Sequence, residues 1–181
     1  RGRFRLLFLG RVHASTRYKG AERLIELTAS LPAEAVEAVI AGSGDDVDYL
    51  RGRADALGVG DRVTFTGSVD EADLPAVLRS ADAFYLVSTV GHSQGEGIPL
   101  TPLEALASGV PVLVGDQDGS RETLDPPPGD APAGGWCGNP LDLDAQAAYV
   151  HRLMADPARH AAEGAAARQR AEAAFGFDAF R

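Results

Sequence analysis

Short apolar runs alternate with amphipathic segments along most of this chain. The run from Phe4 to Leu9 is almost entirely apolar, and Gly10 ends it. In the next segment apolar residues such as Leu24 and Ile25 recur at helical spacing until Pro32. Continuous apolar runs are typical of strands buried on both faces, and spacing of three or four is typical of helices with one buried face. The chain therefore alternates between predicted strands and predicted helices.

The same alternation continues to the end of the sequence. The predicted strands are 4–10, 36–41, 63–67, 83–87, 111–114 and 135–137. The predicted helices are 21–31, 47–57, 74–80, 99–108, 142–155 and 157–175, with a short helical turn at 120–124. Alternation of this kind indicates a parallel sheet with helices on both faces. We therefore predict the α/β class, as a Rossmann-like three-layer sandwich of about six parallel strands.

Length and composition narrow the class of protein. The 181 residues fit one domain, 1–181, and the net charge of −9 argues against a nucleic-acid partner. The lone Cys137 excludes an intramolecular disulfide and suits a reducing compartment, so we expect a cytoplasmic protein. The four histidines have no metal-ligand spacing, and we expect no metal site. Because the chain starts at Arg1 without Met and enters a strand at once, we expect it to be part of a longer protein.

Two glutamates bracket the start of the fourth predicted helix. Glu96 lies in the preceding loop and Glu104 lies in the helix, with Pro99 predicted at the first helical position. An ionised carboxylate is acceptor-only and suits a vicinal diol, as in sugars and ribose. Between the glutamates, the N–H groups of Leu100 and Thr101 favour an anion such as phosphate. A ligand that presents a diol to each glutamate and a phosphate to the amides between them would be a sugar nucleotide. Either glutamate considered alone is as well explained by exposure to solvent or by an ion pair with a neighbouring residue.

The loop after the first strand carries two cations. Gly10 allows the backbone to approach a ligand closely, and Arg11 and Lys19 flank a loop that leads into the first helix. Cations beside a helix start suit a diphosphate.

Glycine-rich turns follow the next two strands. The turn Gly42-Ser43-Gly44 is a poor dinucleotide fingerprint, because Val47 stands where the third glycine belongs, and we interpret it as a tight turn at the wall of a cleft. After the third strand, Gly67 allows another close approach, and Val69 is placed to pack against a base.

With these motifs in order, nearly the whole chain resembles the carboxyl-terminal, donor-binding domain of the retaining GT-B glycosyltransferases of family four. The paired glutamates are the specific part of this resemblance, and the glycine turns are not. The matching motifs are Gly10-Arg11, Lys19-Gly20, Ala41-Gly42-Ser43-Gly44, Asp61-Arg62-Val63, Phe65-Thr66-Gly67, Leu103-Glu104-Ala105-Leu106-Ala107 and Gly109-Val110-Pro111-Val112.

The resemblance implies a role for each matching residue. Arg11 and Lys19 would hold the donor diphosphate, Glu104 the ribose hydroxyls and Glu96 the hydroxyls of the transferred sugar, while Val69 would flank the base. The implied catalytic residues are Arg11, Lys19 and Glu96. The implied donor-binding residues are Gly10, Arg11, Lys19, Gly42, Gly67, Val69, Glu96, Gly97, Ile98, Pro99, Leu100, Thr101 and Glu104.

In this family the acceptor site belongs to an amino-terminal domain, which would be the protein partner of this chain and the only route to peripheral membrane contact. The resemblance implies a nucleotide-sugar substrate, no cofactor and no metal.

Two features depart from the family pattern, the long segment between Arg11 and Lys19 and the pair Asp118-Gly119 in place of two glycines. A non-catalytic nucleotide-sugar binding module and half of a sugar-nucleotide epimerase remain the alternatives, although the spacing of Glu96 and Glu104 argues against the epimerase.

Overall fold

The structure, a computed structural model, describes residues 2–90, 95, 97–124 and 131–176. Six strands form one sheet: β1 (Phe4–Leu9), β2 (Val36–Ala41), β3 (Val63–Gly67), β4 (Ala83–Leu86), β5 (Val112–Gly115) and β6 (Gly135–Gly138). Six α-helices accompany the described strands: α1 (Ala21–Ser30), α2 (Val47–Ala56), α3 (Leu74–Arg79), α4 (Leu100–Ala107), α5 (Leu143–Ala155) and α6 (Pro157–Phe175).

All neighbouring strands pair in parallel, in the order β3-β2-β1-β4-β5-β6. Strands β2 and β3 follow one another on one side of β1, and β4 then pairs with the other side of β1. Because crossovers between parallel strands are right-handed, this reversal places helices on opposite faces of the sheet. In agreement, α1 packs against α2, and α4 packs against α3 and α6. The predicted Rossmann-like α/β fold is therefore confirmed, and the reversal between β1 and β4 creates a crevice at the carboxyl ends of the strands.

The core lies along the central strands. Leu6, Leu7 and Phe8 of β1 are fully or almost fully buried, and so are all four residues of β4 and of β5. Burial on both faces explains why these strands are continuous apolar runs rather than alternating ones. None of the helices in the described ranges is long and apolar enough to cross a membrane.

At the carboxyl ends of the strands, two local features differ from the prediction. The fourth helix begins at Leu100, because Pro99 has an extended backbone (φ −75°, ψ 138°) and is the N-cap rather than the first helical residue. Proline fixes only φ, so its ring is compatible with either position. In addition, the segment predicted as a loop between Arg11 and Lys19 contains a 3-10 helix, Ala14–Lys19. Both differences lie at the carboxyl ends of the strands, where the predicted site residues are.

Candidate functional site

The loops after β1, β2 and β3 are joined to one another by backbone hydrogen bonds. Gly10 N–H donates to the carbonyl of Ala41 at 3.0 Å, and Gly42 N–H donates to the carbonyl of Gly67 at 2.8 Å. The side-chain oxygens of Ser43 and Ser68 lie 2.8 Å apart. The structure therefore brings the three predicted glycines, Gly10, Gly42 and Gly67, to one edge of the sheet.

The turn Gly42-Ser43-Gly44 is as tight as its composition predicted. A Cβ atom on Gly44 would lie 1.9 Å from the carbonyl oxygen of Val12, and Gly44 has a φ of 157°. A side chain at this position would collide with the loop that follows β1. The two loops therefore pack backbone against backbone, as expected of a cleft wall.

One predicted cation, Arg11, precedes the 3-10 helix Ala14–Lys19, and the other, Lys19, is its last residue. The Arg11 side chain is exposed and makes no hydrogen bond or ion pair with a described residue. Lys19 is partly buried, and its Nζ lies 5.8 Å from the centre of the Tyr18 ring. Directly after Lys19, Gly20 has a φ of 94°, and a Cβ there would lie 2.5 Å from the Val87 carbonyl oxygen. This contact places Lys19 and the start of α1 against the carboxyl end of β4, beside the crevice.

The start of α4 offers two backbone N–H groups. The first four N–H groups of a helix have no partner within it, and Pro99 and Pro102 lack an N–H altogether. Leu100 and Thr101 therefore supply the free amides of this turn, as the sequence predicted. Gly97 and Ile98 precede them and are exposed, as is Leu100, while Pro99 is buried. Glu96 lies outside the described residues.

Glu104 lies one helical turn beyond Leu100, about 6 Å along the axis. Its side chain is partly buried and makes no hydrogen bond or ion pair with any residue that the structure describes. Burial raises the pKa of the Glu104 carboxyl, and the negative charge of Glu71 raises it further. The sequence left open whether an arginine pairs with this glutamate. Within the described part of the chain none does, so the carboxylate is available to accept hydrogen bonds from a ligand.

Glu71 was not among the residues predicted from the sequence. It belongs to the segment between β3 and α3, which also contains Val69, a partly buried side chain that packs against the core. The charge of Glu71 acts on Glu104, which is thirty-three positions away in the sequence. The helix that follows this segment, α3, packs against α4, which brings the loop of Val69 towards that helix. A single exposed glutamate in a loop gave no signal of it.

A polar cluster at the ends of β4 and β5 was also missed. The buried hydroxyl of Ser88 donates to Asp118 Oδ2 at 2.8 Å and lies 3.2 Å from the hydroxyl of Ser120. The other oxygen of Asp118 accepts the Ser120 N–H at 2.9 Å. Asp118 thus links the loops after β4 and β5.

No group of three or more His, Cys, Asp or Glu side chains that could hold a metal ion occurs among the described residues. Among the residues predicted to bind the donor, the charged ones that the described ranges bring to the crevice are Arg11, Lys19 and Glu104.

Comparison with known proteins identifies sequence relatives. The sequence model of the family described as "Glycosyl transferases group 1" matches residues 2–170. A GDP-mannose-dependent alpha-(1-6)-phosphatidylinositol monomannoside mannosyltransferase of Mycolicibacterium smegmatis is 38% identical over 157 residues, which are 83% of this chain and 39% of the relative. The chain spans about two fifths of the length of such curated relatives.

Solved structures share the fold. Sucrose-phosphate synthase from Thermosynechococcus elongatus superimposes with a TM-score of 0.78 at 28% identity, over 98% of this chain and 42% of that one. Anabaena HepE in complex with UDP and glucose superimposes with a TM-score of 0.77 at 23% identity, over 94% of this chain and 44% of that one.

Proposed function

Because the chain belongs to the glycosyl transferases group 1 family, we propose that it is the donor-binding part of a glycosyltransferase. In this proposal it binds a nucleoside-diphosphate sugar in the crevice at the carboxyl ends of the strands. A hexosyl group is then transferred, with retention of configuration and without a metal ion, to an acceptor held by an amino-terminal domain. The expected site of the reaction remains the cytoplasm.

The state of Glu104 carries the proposal. A partly buried carboxylate costs free energy unless it is paired, and no described residue pairs with this one. The two hydroxyls of a ribose would supply the missing donors. The amides of Leu100 and Thr101, one turn earlier on the same helix, would then face the phosphates of the same nucleotide.

Arg11 and Lys19 are the proposed partners of the diphosphate. When the bond between the sugar and the diphosphate breaks, negative charge grows on the departing phosphate oxygen. Fixed cations and helix N–H groups in a cleft stabilise that charge without reorganising, which lowers the barrier. These groups supply the charge that a metal ion provides in other phosphate sites, which supports transfer without a metal. Glu96 is proposed to accept hydrogen bonds from the transferred sugar.

The proposed donor is GDP-mannose. This choice rests on the relatives named as GDP-mannose-dependent mannosyltransferases, which are 33–38% identical to the chain. A calorimetric titration with GDP, GDP-mannose, UDP and UDP-glucose tests it. Tighter binding of the guanosine nucleotides supports the proposal, tighter binding of the uridine nucleotides would replace the donor but keep the site, and binding of none would contradict the function.

A further inference from the structure

The carboxylate of Asp46 binds the guanidinium of Arg17 through two hydrogen bonds. Arg17 Nε lies 2.6 Å from Oδ2, and Arg17 Nη2 lies 2.5 Å from Oδ1. The Asp46 side chain is 5% exposed, whereas that of Arg17 is 44% exposed. A bidentate ion pair of this kind fixes the relative orientation of the two side chains as well as their distance. It therefore holds the middle of the 3-10 helix Ala14–Lys19 against the start of α2.

Asp46 differs from two other aspartates that begin helices in this chain, Asp142 and Asp156, although Asp73 at the start of α3 likewise makes no capping bond. It occupies the N-cap of α2, but its side chain caps none of that helix's N–H groups. Asp142 and Asp156 occupy the same position in α5 and α6, and each accepts a hydrogen bond from the first turn at 2.9–3.0 Å. Aspartate is favoured at this position because it makes such bonds. The carboxylate of Asp46 is instead turned to Arg17.

Further contacts hold Arg17 in this orientation. Its guanidinium lies over the ring of Tyr49, 3.8 Å from the centre. The Tyr49 hydroxyl donates to Glu22 at 3.0 Å, and Glu22 also accepts from Arg53 at 2.7 Å. The pair with Asp46 is therefore part of a network that connects the loop after β1 to both α1 and α2.

Hydrogen bonds to other segments anchor both ends of the same 3-10 helix. At its beginning, Asp45 accepts the Ala14 N–H at 3.0 Å and contacts His13 Nδ1 at 3.1 Å. At its end, the carbonyl of Tyr18 accepts the Thr89 N–H at 2.9 Å. Lys19 directly follows the second anchor and Arg11 lies two residues before His13, so the anchors restrain the backbone at both cations.

We infer that Asp46 is a positioning residue for the donor diphosphate, which it does not touch. By holding Arg17 it fixes the loop that presents Arg11 and Lys19 before the donor arrives. A loop that is already ordered loses less conformational freedom on binding, so the donor binds more tightly. This inference rests on the proposed function of the two cations.

The test is to replace Asp46→Asn, which keeps the shape of the side chain and removes its charge. Calorimetric titration of the full chain with GDP should show affinity about tenfold weaker, the size expected if about one side chain must now be ordered on binding. Guanosine, titrated by NMR, should bind both proteins equally, because it lacks the phosphates. Asp48→Asn is the matched control, since it removes the same charge two residues later from a side chain that is 98% exposed. It should bind GDP as the natural sequence does.

A second variant keeps the test valid if Asp46→Asn does not fold. Arg17→Gln removes the exposed partner of the same pair and should weaken GDP binding by a similar factor. Where both single variants fold, the double variant should bind GDP no more weakly than either single variant, because both substitutions remove the same contact. Equal GDP affinity of Asp46→Asn and the natural sequence would overturn the inference and leave the proposed function standing, and so would a loss confined to Arg17→Gln. Failure of the natural sequence to bind either GDP or UDP would overturn both.

Discussion

A Cβ atom on Gly42 would stand 1.8 Å from the carbonyl oxygen of Gly10. The loops after β1 and β2 thus approach each other so closely that no side chain fits between them. Gly67, which also lies at this edge, differs in that a Cβ there would meet no atom within 4 Å. The site wall therefore depends on the absence of a side chain at Gly42 far more than at Gly67.

Gly42→Ala should lower the free energy of unfolding by about 2–4 kcal/mol, because it adds both a collision and backbone strain at a φ of 143°. Gly67→Ala should cost only about 1–2 kcal/mol, the strain of a left-handed backbone at a φ of 74°. Urea unfolding followed by the fluorescence of Trp136 measures both. Equal losses would show that the close approach of the two loops does not hold in solution.

Glu104→Gln should make the chain more stable at neutral pH while weakening nucleotide binding. Burial and the charge of Glu71 raise the pKa of the Glu104 carboxyl. A carboxyl with a raised pKa contributes fully to stability below its ordinary pKa of about 4.3, and that contribution is lost as pH rises through the raised value.

Thermal unfolding across pH tests this difference. Glutamine imitates the uncharged carboxyl, so the variant should have the higher Tm at pH 7, and the two curves should meet near pH 4, at about the ordinary pKa of glutamate. A natural sequence that is the more stable one at pH 7 would indicate that Glu104 has a favourable partner in the folded chain.

Arg11→Gln should reduce the affinity for GDP by about ten- to a hundredfold, because a hydrogen bond to a charged group contributes roughly 1.5–3 kcal/mol. The affinity of the variant should also depend less on salt. Salt weakens each ion pair between the protein and the diphosphate, and the variant has one such pair fewer. Arg168→Gln is the control, since Arg168 is exposed on α6 and pairs with Glu172. Calorimetry at two salt concentrations checks both variants, and equal affinities would remove Arg11 from the site.

Glu163 is expected to be the most important single charge for stability among those described here. It is 1% exposed, accepts the N–H groups of Ala133 and Gly134 at 3.0 and 2.9 Å, and pairs with Arg159 at 2.8 Å. Glu163→Ala leaves these donors without a partner and should cost about 2–4 kcal/mol.

Glu172→Ala provides the comparison for Glu163. It also removes a helical pair, Arg168 with Glu172 at 2.6 Å, but both side chains are at least 60% exposed. Exposed pairs contribute about 0–1 kcal/mol, so this variant should unfold at nearly the same urea concentration as the natural sequence. A loss as large as that of Glu163→Ala would show that burial does not decide the difference.

The sequence predicted the strands and helices well because the signals are local. Apolar runs, helical spacing and glycines at strand ends lie within a few residues of each other. The start of α4 was misplaced by one residue because proline suits both the N-cap and the first helical position. The 3-10 helix Ala14–Lys19 was missed because its anchors, Asp45 and Thr89, are distant in the sequence.

The candidate site was predictable where chemistry followed from local position. Leu100 and Thr101 at a helix start, and glycines after strands, follow from rules about single elements. The relation of Glu71 to Glu104 and the pair of Asp46 with Arg17 depend on how separate elements pack. Either charge considered alone reads as a solvated surface residue, and only the folded chain shows which ones face each other.

The most direct test of the account is a calorimetric titration of GDP and GDP-mannose against the natural sequence, Glu104→Ala and Glu96→Ala. Glu104 is proposed to hold the ribose, which both ligands share, so Glu104→Ala should weaken both ligands by the same factor, about tenfold or more. Glu96 is proposed to hold the transferred sugar, so its loss should weaken GDP-mannose alone. Undiminished binding of both ligands by Glu104→Ala, or equal effects of the two variants on GDP, would contradict the account.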